Sequence, residues 1–390
     1  MRNVFGKKSI IFLLLVAVFA FHRTPNVAHR AIPDDCLMLK PIEDCGTLEE
    51  VGSATLAYVE FDDQGSYYDQ RQALVAYEKI RRVLEESEGN TELFVFVHGW
   101  QNNASQGNSN VSAFKSFLAA RSKENTERQT IGVYVGWPGE TLKFPLSLLT
   151  FWSRQAAADR VAEGSVQEFF ATIKQIQADR LAEFGADEKF RIFTIGHSFG
   201  GLIAFQANSS AYAVKYGANH PYNRYNPVVD GLGDVLVLIN PAIEAERFSV
   251  LHSLSTEYPK YPFYSPNLVA VGSETDWATK IMFPMGVVPT AIFSSQLRGD
   301  QWIDAFTTVT NSKSYLTHYA SVREEGVYVC EQDHGPSQRS VPFWFVEADR
   351  NLIDGHSDLD GEKLLWLFRS IQLHIREKKY GGLERCPDLH

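Results

Sequence analysis

The sequence predicts an α/β fold with a mostly parallel central sheet flanked by helices, and three observations carry that expectation. From Ala54 onward, short β-branched or aromatic runs alternate with longer segments whose apolar residues recur at helical spacing. Several of these runs are apolar almost throughout, as strands covered on both faces are. Hydrophobic residues make up 44% of the 390, charged ones 22%, and Gly (27) and Pro (16) stand near average usage, which excludes collagen-like, coiled-coil and largely disordered chains.

Taken in order, residues 54–61 read as a strand. Residues 68–86 read as a helix with Ala73, Tyr77, Ile80 and Leu84 on one stripe. Further strands are expected at 93–97, 131–135, 190–195, 235–239, 268–271 and 343–346. Residues 154–184 form the longest helical stretch, and 362–378 close the domain with Leu364, Leu367, Phe368, Ile371 and Ile375 facing inward. Two stretches, 217–232 and 279–340, fit the alternation poorly and read as insertions on a single domain. The apolar, aromatic segment 142–152 suits an acyl pocket or lid, and equally ordinary core packing.

Arg2, Lys7 and Lys8 precede an uncharged apolar run at 10–21, too short for a membrane span of about 20 residues but ordered like an export signal. Residues 1–21 are therefore expected to be a signal peptide, with a short retained membrane anchor as the alternative. Residues 22–50 read as a linker and 51–390 as the folded domain, exported to a periplasmic or external compartment. The four cysteines suit an oxidising compartment; of the three possible pairings, Cys36 with Cys45 and Cys330 with Cys386 is preferred. None has the close spacing of a zinc knuckle. A formal charge of −10 argues against a nucleic-acid partner. Loss of residues 1–20 would remove three basic side chains and weaken attraction to an anionic membrane surface further.

The most informative stretch is FRIFTIGHSFGGLIAF at 190–205, which reads as strand, then Gly196-His197-Ser198-Phe199-Gly200, then helix. A sharp strand-to-helix turn lifts one serine hydroxyl above the sheet, and the glycines leave room for the bend. The following helix directs N–H groups and positive dipole at Ser198, where negative charge develops in acyl transfer. About a hundred residues earlier, the strand 93–97 runs into His98-Gly99-Trp100-Gln101-Asn102-Asn103. Acyl transfer needs two preorganised N–H donors for its oxyanion, one from the residue after the nucleophile and one from this earlier loop. Those are expected from Phe199 and Trp100, with His98 fixing the loop by hydrogen bonding.

These residues, with the phrases FVFVHGWQNN, GVYVGWPGE, LTFWSRQAAA, TIGHSFGGLIAF, LVLINPAIEA and AVGSETDWATKI, resemble the α/β-hydrolases, specifically their serine esterase and lipase branch. The resemblance spans roughly residues 54–378 and lies nearest a bacterial group for which it implies no substrate. It implies a chain order of nucleophile, then an acid after a later strand, then a histidine near the end. Glu274 and Asp276 both follow the strand 268–271; Asp276 is preferred because its Asp-Trp-Ala-Thr phrase matches the group where the acid is expected, and Glu274 stays open. Among the histidines that follow, His356 lies in a Gly-containing turn between the last strand and the closing helix, where a base can reach Ser198, and His318 is the runner-up.

The expected chemistry is cleavage of a carboxylic ester, small or lipid-like, through an acyl-enzyme on Ser198, with His356 as base and Asp276 orienting it. No cofactor or metal is required. The same apparatus serves amides and thioesters, and a non-catalytic binding protein on this scaffold is the alternative from a different class.

Overall fold

The computed structural model describes residues 24–379 except 39, 89, 144–145, 186–188, 218–234, 258–265, 284–303, 305, 324–325 and 332–341. The signal or anchor expected at 1–21 lies outside the described residues. Among them, no helix is long and apolar enough to cross a membrane.

In chain order the elements are β1 (Leu48–Val51), β2 (Ala54–Glu60), α1 (Gln70–Glu86), β3 (Thr91–Val97), α2 (Ser109–Glu124), β4 (Gln129–Gly136), α3 (Phe151–Glu163) and α4 (Ser165–Phe184). They continue with β5 (Arg191–His197), α5 (Phe199–Gly217), β6 (Val235–Ile239), α6 (Ala245–Glu257) and β7 (Leu268–Ser273). The chain then forms β8 (His318–Arg323), β9 (Gly326–Glu331), β10 (Phe343–Ala348) and α7 (Gly361–Lys379). The ten strands make one sheet in the order β1-β2-β4-β3-β5-β6-β7-β10-β8-β9. Every neighbouring pair from β2 through β8 is parallel, and only the outermost pairs, β1 with β2 and β8 with β9, are antiparallel.

The central strands are buried on both sides, so alternate residues of one strand feed two cores. Leu93, Val95 and Val97 of β3 face a core closed by α1, α3, α4, α5 and α6. Phe94 and Phe96 face a second core closed by α2 and α7, where Phe94, Phe193 and Phe368 pack with ring centroids 4.7–5.3 Å apart. That two-sided burial is why these strands read as apolar runs rather than as alternation. Asp69 caps α1 by accepting the Arg71 N–H, and Asn108 caps α2 by accepting the Asn110 N–H.

The long helical stretch at 154–184 is two helices that meet at Gly164. The backbone of Gly65 passes there so closely that a Cβ on Gly164 would sit 2.4 Å from its carbonyl oxygen, and the Ser165 N–H donates to that oxygen at 2.7 Å. A continuous helix would leave that crossing no room. The sheet also contains three strands the apolar pattern did not reveal: β1 at one edge, and the β8–β9 hairpin, built from within 279–340, at the other.

From residue 24 to β1 the chain is laid against the body. Cys36 and Cys45 form a disulfide, with Cα atoms 5.3 Å apart, and pack with Ile42 against Val75 of α1. The N–H groups of His29 and Arg30 each donate at 2.8 Å to the Glu60 carboxylate at the end of β2. Cys330 is also disulfide-bonded, and its expected partner, Cys386, lies outside the described residues.

Candidate active site

In a parallel sheet the carboxyl ends of the strands gather at one edge, and the loops there converge. The ends of β3, β5 and β6 are level, with Val97 beside Gly196 and His197 beside Ile239. Four loops leaving this edge carry the residues singled out in the sequence: Trp100 after β3, Ser198 after β5, Asp276 after β7 and His356 after β10.

Ser198 occupies the single position between β5 and α5, with φ 55°, a left-handed conformation that costs a residue with a Cβ about 1–3 kcal/mol. The turn closes because the following helix can press against β3: a Cβ on Gly200 would lie 2.1 Å from the Val97 carbonyl oxygen. The Ser198 N–H donates to the Ile239 carbonyl at 3.0 Å, tying the bend to β6. Its Oγ lies 2.7 Å from His356 Nε2, and His356 Nδ1 lies 2.9 Å from Asp276 Oδ2.

A carboxylate only accepts, so the geometry fixes the tautomer: Nδ1–H donates to Asp276, and Nε2 accepts the Ser198 hydroxyl. Asp276 is fully buried while the His356 side chain is 21% exposed, so the hydrogen-bonded chain runs from interior to pocket. Burial alone would push the Asp276 carboxyl up. The His356 imidazole, together with the Thr279 N–H at 3.1 Å, outweighs it and holds the carboxyl below its ordinary value.

The fold is α/β-hydrolase-like. Its sheet carries the serine, acid and histidine in the order that resemblance implied. The alternatives fall elsewhere: Glu274 is exposed and accepts the Arg350 N–H at 3.0 Å, while His318 is buried at the start of β8 against Trp344, with ring centroids 4.5 Å apart.

Trp100 stands on a loop held from three sides. Its Nε1–H donates to Thr150 Oγ1 at 3.1 Å, its carbonyl accepts Asn102 Nδ2–H at 2.9 Å, and the Gln101 N–H donates to the Gly139 carbonyl at 2.9 Å. Gly99 passes so near Ser198 that a Cβ there would lie 2.7 Å from Ser198 Cβ. As the first residue of α5, Phe199 has an N–H with no intrahelical acceptor. Neither that N–H nor the one of Trp100 donates to another backbone group among the described residues.

His98 fixes the same loop from below. Its Nδ1–H donates to the Gly99 carbonyl at 3.0 Å, its Nε2 accepts the Trp137 N–H at 3.0 Å, and its ring stacks on Trp137. Burial pushes its pKa down to about 3, so it stays neutral and keeps both bonds.

A pocket of about 230 Å³ opens above Ser198, with Trp100, Phe151, Phe199, Ala242 and Phe283 on its apolar wall and Trp277 beside them. Segment 142–152 thus divides: Phe151 lines the pocket, while Leu149 and Trp152 turn to solvent.

Sequence reasoning passed over Asn240, which follows β6 directly with φ 44° and is almost wholly buried. Its Oδ1 accepts the Ser273 N–H at 2.8 Å, and its Nδ2–H reaches the carbonyls of Gly355 and His356 at 3.0 and 3.1 Å. One amide thereby joins the loops of the acid and the histidine. Its place just beyond a central strand was the available signal.

No protein-family model and no curated protein matches the chain. Among solved structures it is similar to phospholipase PlaB from Legionella pneumophila in complex with thio-NAD, at 12% identity and a TM-score of 0.28, over 74% of this chain and 62% of that one. It thus spans less than two thirds of the length of PlaB. It is also similar to the peroxisomal α/β-hydrolase Lpx1 from Saccharomyces cerevisiae, at 13% identity and a TM-score of 0.23, over 80% of this chain and 83% of that one.

Proposed function

We propose that the protein is a serine hydrolase that cleaves carboxylic esters through an acyl-enzyme on Ser198. The observation that carries this reading is the unbroken hydrogen-bonded sequence from Ser198 through His356 to Asp276, with contacts of 2.7 and 2.9 Å. A serine hydroxyl is a weak nucleophile at neutral pH, and a neutral imidazole accepting its proton makes it a competent one.

In the first half-reaction Ser198 Oγ attacks the ester carbonyl as its proton passes to His356 Nε2. The buried Asp276 carboxylate stabilises the imidazolium that forms and keeps Nδ1–H directed at itself. The carbonyl oxygen, now negative, is held by the N–H groups of Trp100 and Phe199. His356 returns the proton to the departing alcohol, the acyl-enzyme remains, and a water activated by the same imidazole releases the acid. The machinery needs neither metal nor cofactor.

The apolar wall of Trp100, Phe151, Phe199 and Phe283 fits the hydrocarbon part of an ester. Its volume, about 230 Å³, falls below the roughly 300 Å³ at which pockets for drug-sized ligands begin, which favours short acyl groups. A lipid-like ester with one short chain fits within that limit. Export by the N-terminal segment would place the activity outside the cytoplasm, and intact mass of the mature protein tests whether that segment is removed.

A panel of p-nitrophenyl esters of graded chain length tests the substrate class: kcat/KM is expected to peak at a short acyl chain and fall for long ones. Hydrolysis of none of them, or a preference that rises steadily to the longest chain, contradicts the reading.

A further inference from the structure

We infer that His197 is a positioning residue: its side chain, next to the nucleophile in the chain, clasps the backbone of the histidine loop and sets the distance from His356 to Ser198. The inference rests on the hydrolase reading and deepens it.

His197 ends β5 and is 2% exposed. Its Nε2 lies 2.9 Å from the His356 carbonyl oxygen. A carbonyl only accepts, so Nε2 carries the proton. The two imidazoles sit beside each other, with ring centroids 5.4 Å apart. Positions 197 and 198 therefore grip the same residue twice, one through its backbone and one through its side chain. The opposite edge of the His197 ring faces the oxyanion loop, since a Cβ on Gly99 would lie 3.2 Å from His197 Nδ1. Nδ1 itself is buried with no hydrogen-bond partner among the described residues. The ring thus stands between the loop that holds the oxyanion donor and the loop that holds the base.

The role follows from where the base loop comes from. His356 follows Gly355, which has φ 82°, in a turn beyond β10, and no strand pairing reaches it. The Gly355–His356 backbone is held instead by three side chains from or just beyond other strand ends: His197 and Asn240 donate to the His356 carbonyl, and Thr275 Oγ1 accepts the Gly355 N–H at 2.8 Å. Of these, His197 alone adjoins the nucleophile, so its bond measures the gap that proton transfer must cross. A displacement of about 1 Å at a reacting pair costs up to a hundredfold in rate.

Burial, with His356 beside it, pushes the His197 pKa down to about 4, so at neutral pH the ring is an uncharged clasp that adds no positive charge beside the imidazolium formed in catalysis.

The test compares His197→Phe, which keeps a flat ring and removes the donor, with His197→Gln, which restores an N–H at similar reach. The readouts are kcat and KM on the best p-nitrophenyl ester and the second-order labelling rate with a fluorophosphonate. His197→Phe is expected to lower kcat and labelling about ten- to a hundredfold with KM little changed, and His197→Gln to recover most of the loss. If His197→Phe does not fold, His197→Met, an uncharged side chain of similar reach without a donor, takes its place and is expected to lower kcat in the same way. An active wild type with His197→Phe, or failing that His197→Met, at full rate overturns the inference alone, as does His197→Gln no better than the variant without the donor. A wild type inert to both ester and probe instead refutes the hydrolase reading, and this inference with it.

Discussion

His356 Nδ1 lies 2.9 Å from the Asp276 carboxylate although the two residues are 80 positions apart. β7 and β10 are parallel neighbours in register, Ser273 beside Ala348, so the loops that leave them begin side by side. Ser273 Oγ–H then donates to the Ile353 carbonyl at 2.6 Å, stitching the loops together before either functional residue is reached. Asp276 and His356 are thus brought together by strand order, and hydrogen bonds between loops finish the placement.

That pairing makes Asp276→Asn more damaging than its small change in shape implies. An asparagine amide donates to Nδ1 as readily as it accepts, which leaves the proton on Nε2, where it can no longer receive the one from Ser198. The expected fall in kcat is about 10⁴-fold, read by steady-state ester hydrolysis. Glu274→Gln, on an exposed side chain that accepts the Arg350 N–H, is expected to stay within about twofold of wild type. Equal losses in the two variants would contradict the assignment of Asp276.

The proposed role of Trp100 belongs to its backbone N–H, so a side-chain change would act by loosening the loop. Trp100→Ala removes the bond to Thr150 and the edge contact with Phe151, whose ring centroid is 5.5 Å away. The N–H then moves off the developing oxyanion, and kcat is expected to fall about a hundredfold, equivalent to ~3 kcal/mol of transition-state stabilisation. A raised KM with unchanged kcat would mean that Trp100 serves the pocket wall alone.

Stability is expected to fall with acid in a definite window. Burial holds His98 and His197 down to about 3 and about 4 from the ordinary 6.5, so both are neutral when folded. Between pH 4 and 6.5 the unfolded chain therefore binds more protons at these two sites. Their contribution is complete above 6.5 and is lost as pH drops through the window. His197→Phe removes one of the two groups, so its Tm is expected to fall less than wild type between pH 7.5 and 5. A larger fall in the variant would contradict a neutral, buried His197.

Much of this arrangement was legible in the chain because it rests on local patterns. Two-sided burial makes β3, β5, β6, β7 and β10 apolar runs, and the turn at Ser198 demands glycines that are visible as Gly196 and Gly200. Strands near the rim of the sheet are different. β8 reads HYASVR, whose burial is mixed because only part of it is covered, so nothing in its composition separates it from a loop. The break at Gly164 depends on Gly65, a hundred residues earlier, and no helical period encodes that crossing. His197 and Asn240 were passed over for the same reason. Their bonds go to backbone groups far along the chain, which leave no trace in residue type.

An activated Ser198 hydroxyl takes up a fluorophosphonate covalently, and intact mass reads the adduct. One adduct per wild-type chain, located on Ser198 and lost in a folded Ser198→Ala variant, is the expected result. A folded wild type that stays unmodified, or a Ser198→Ala chain that takes up the same mass, would contradict it.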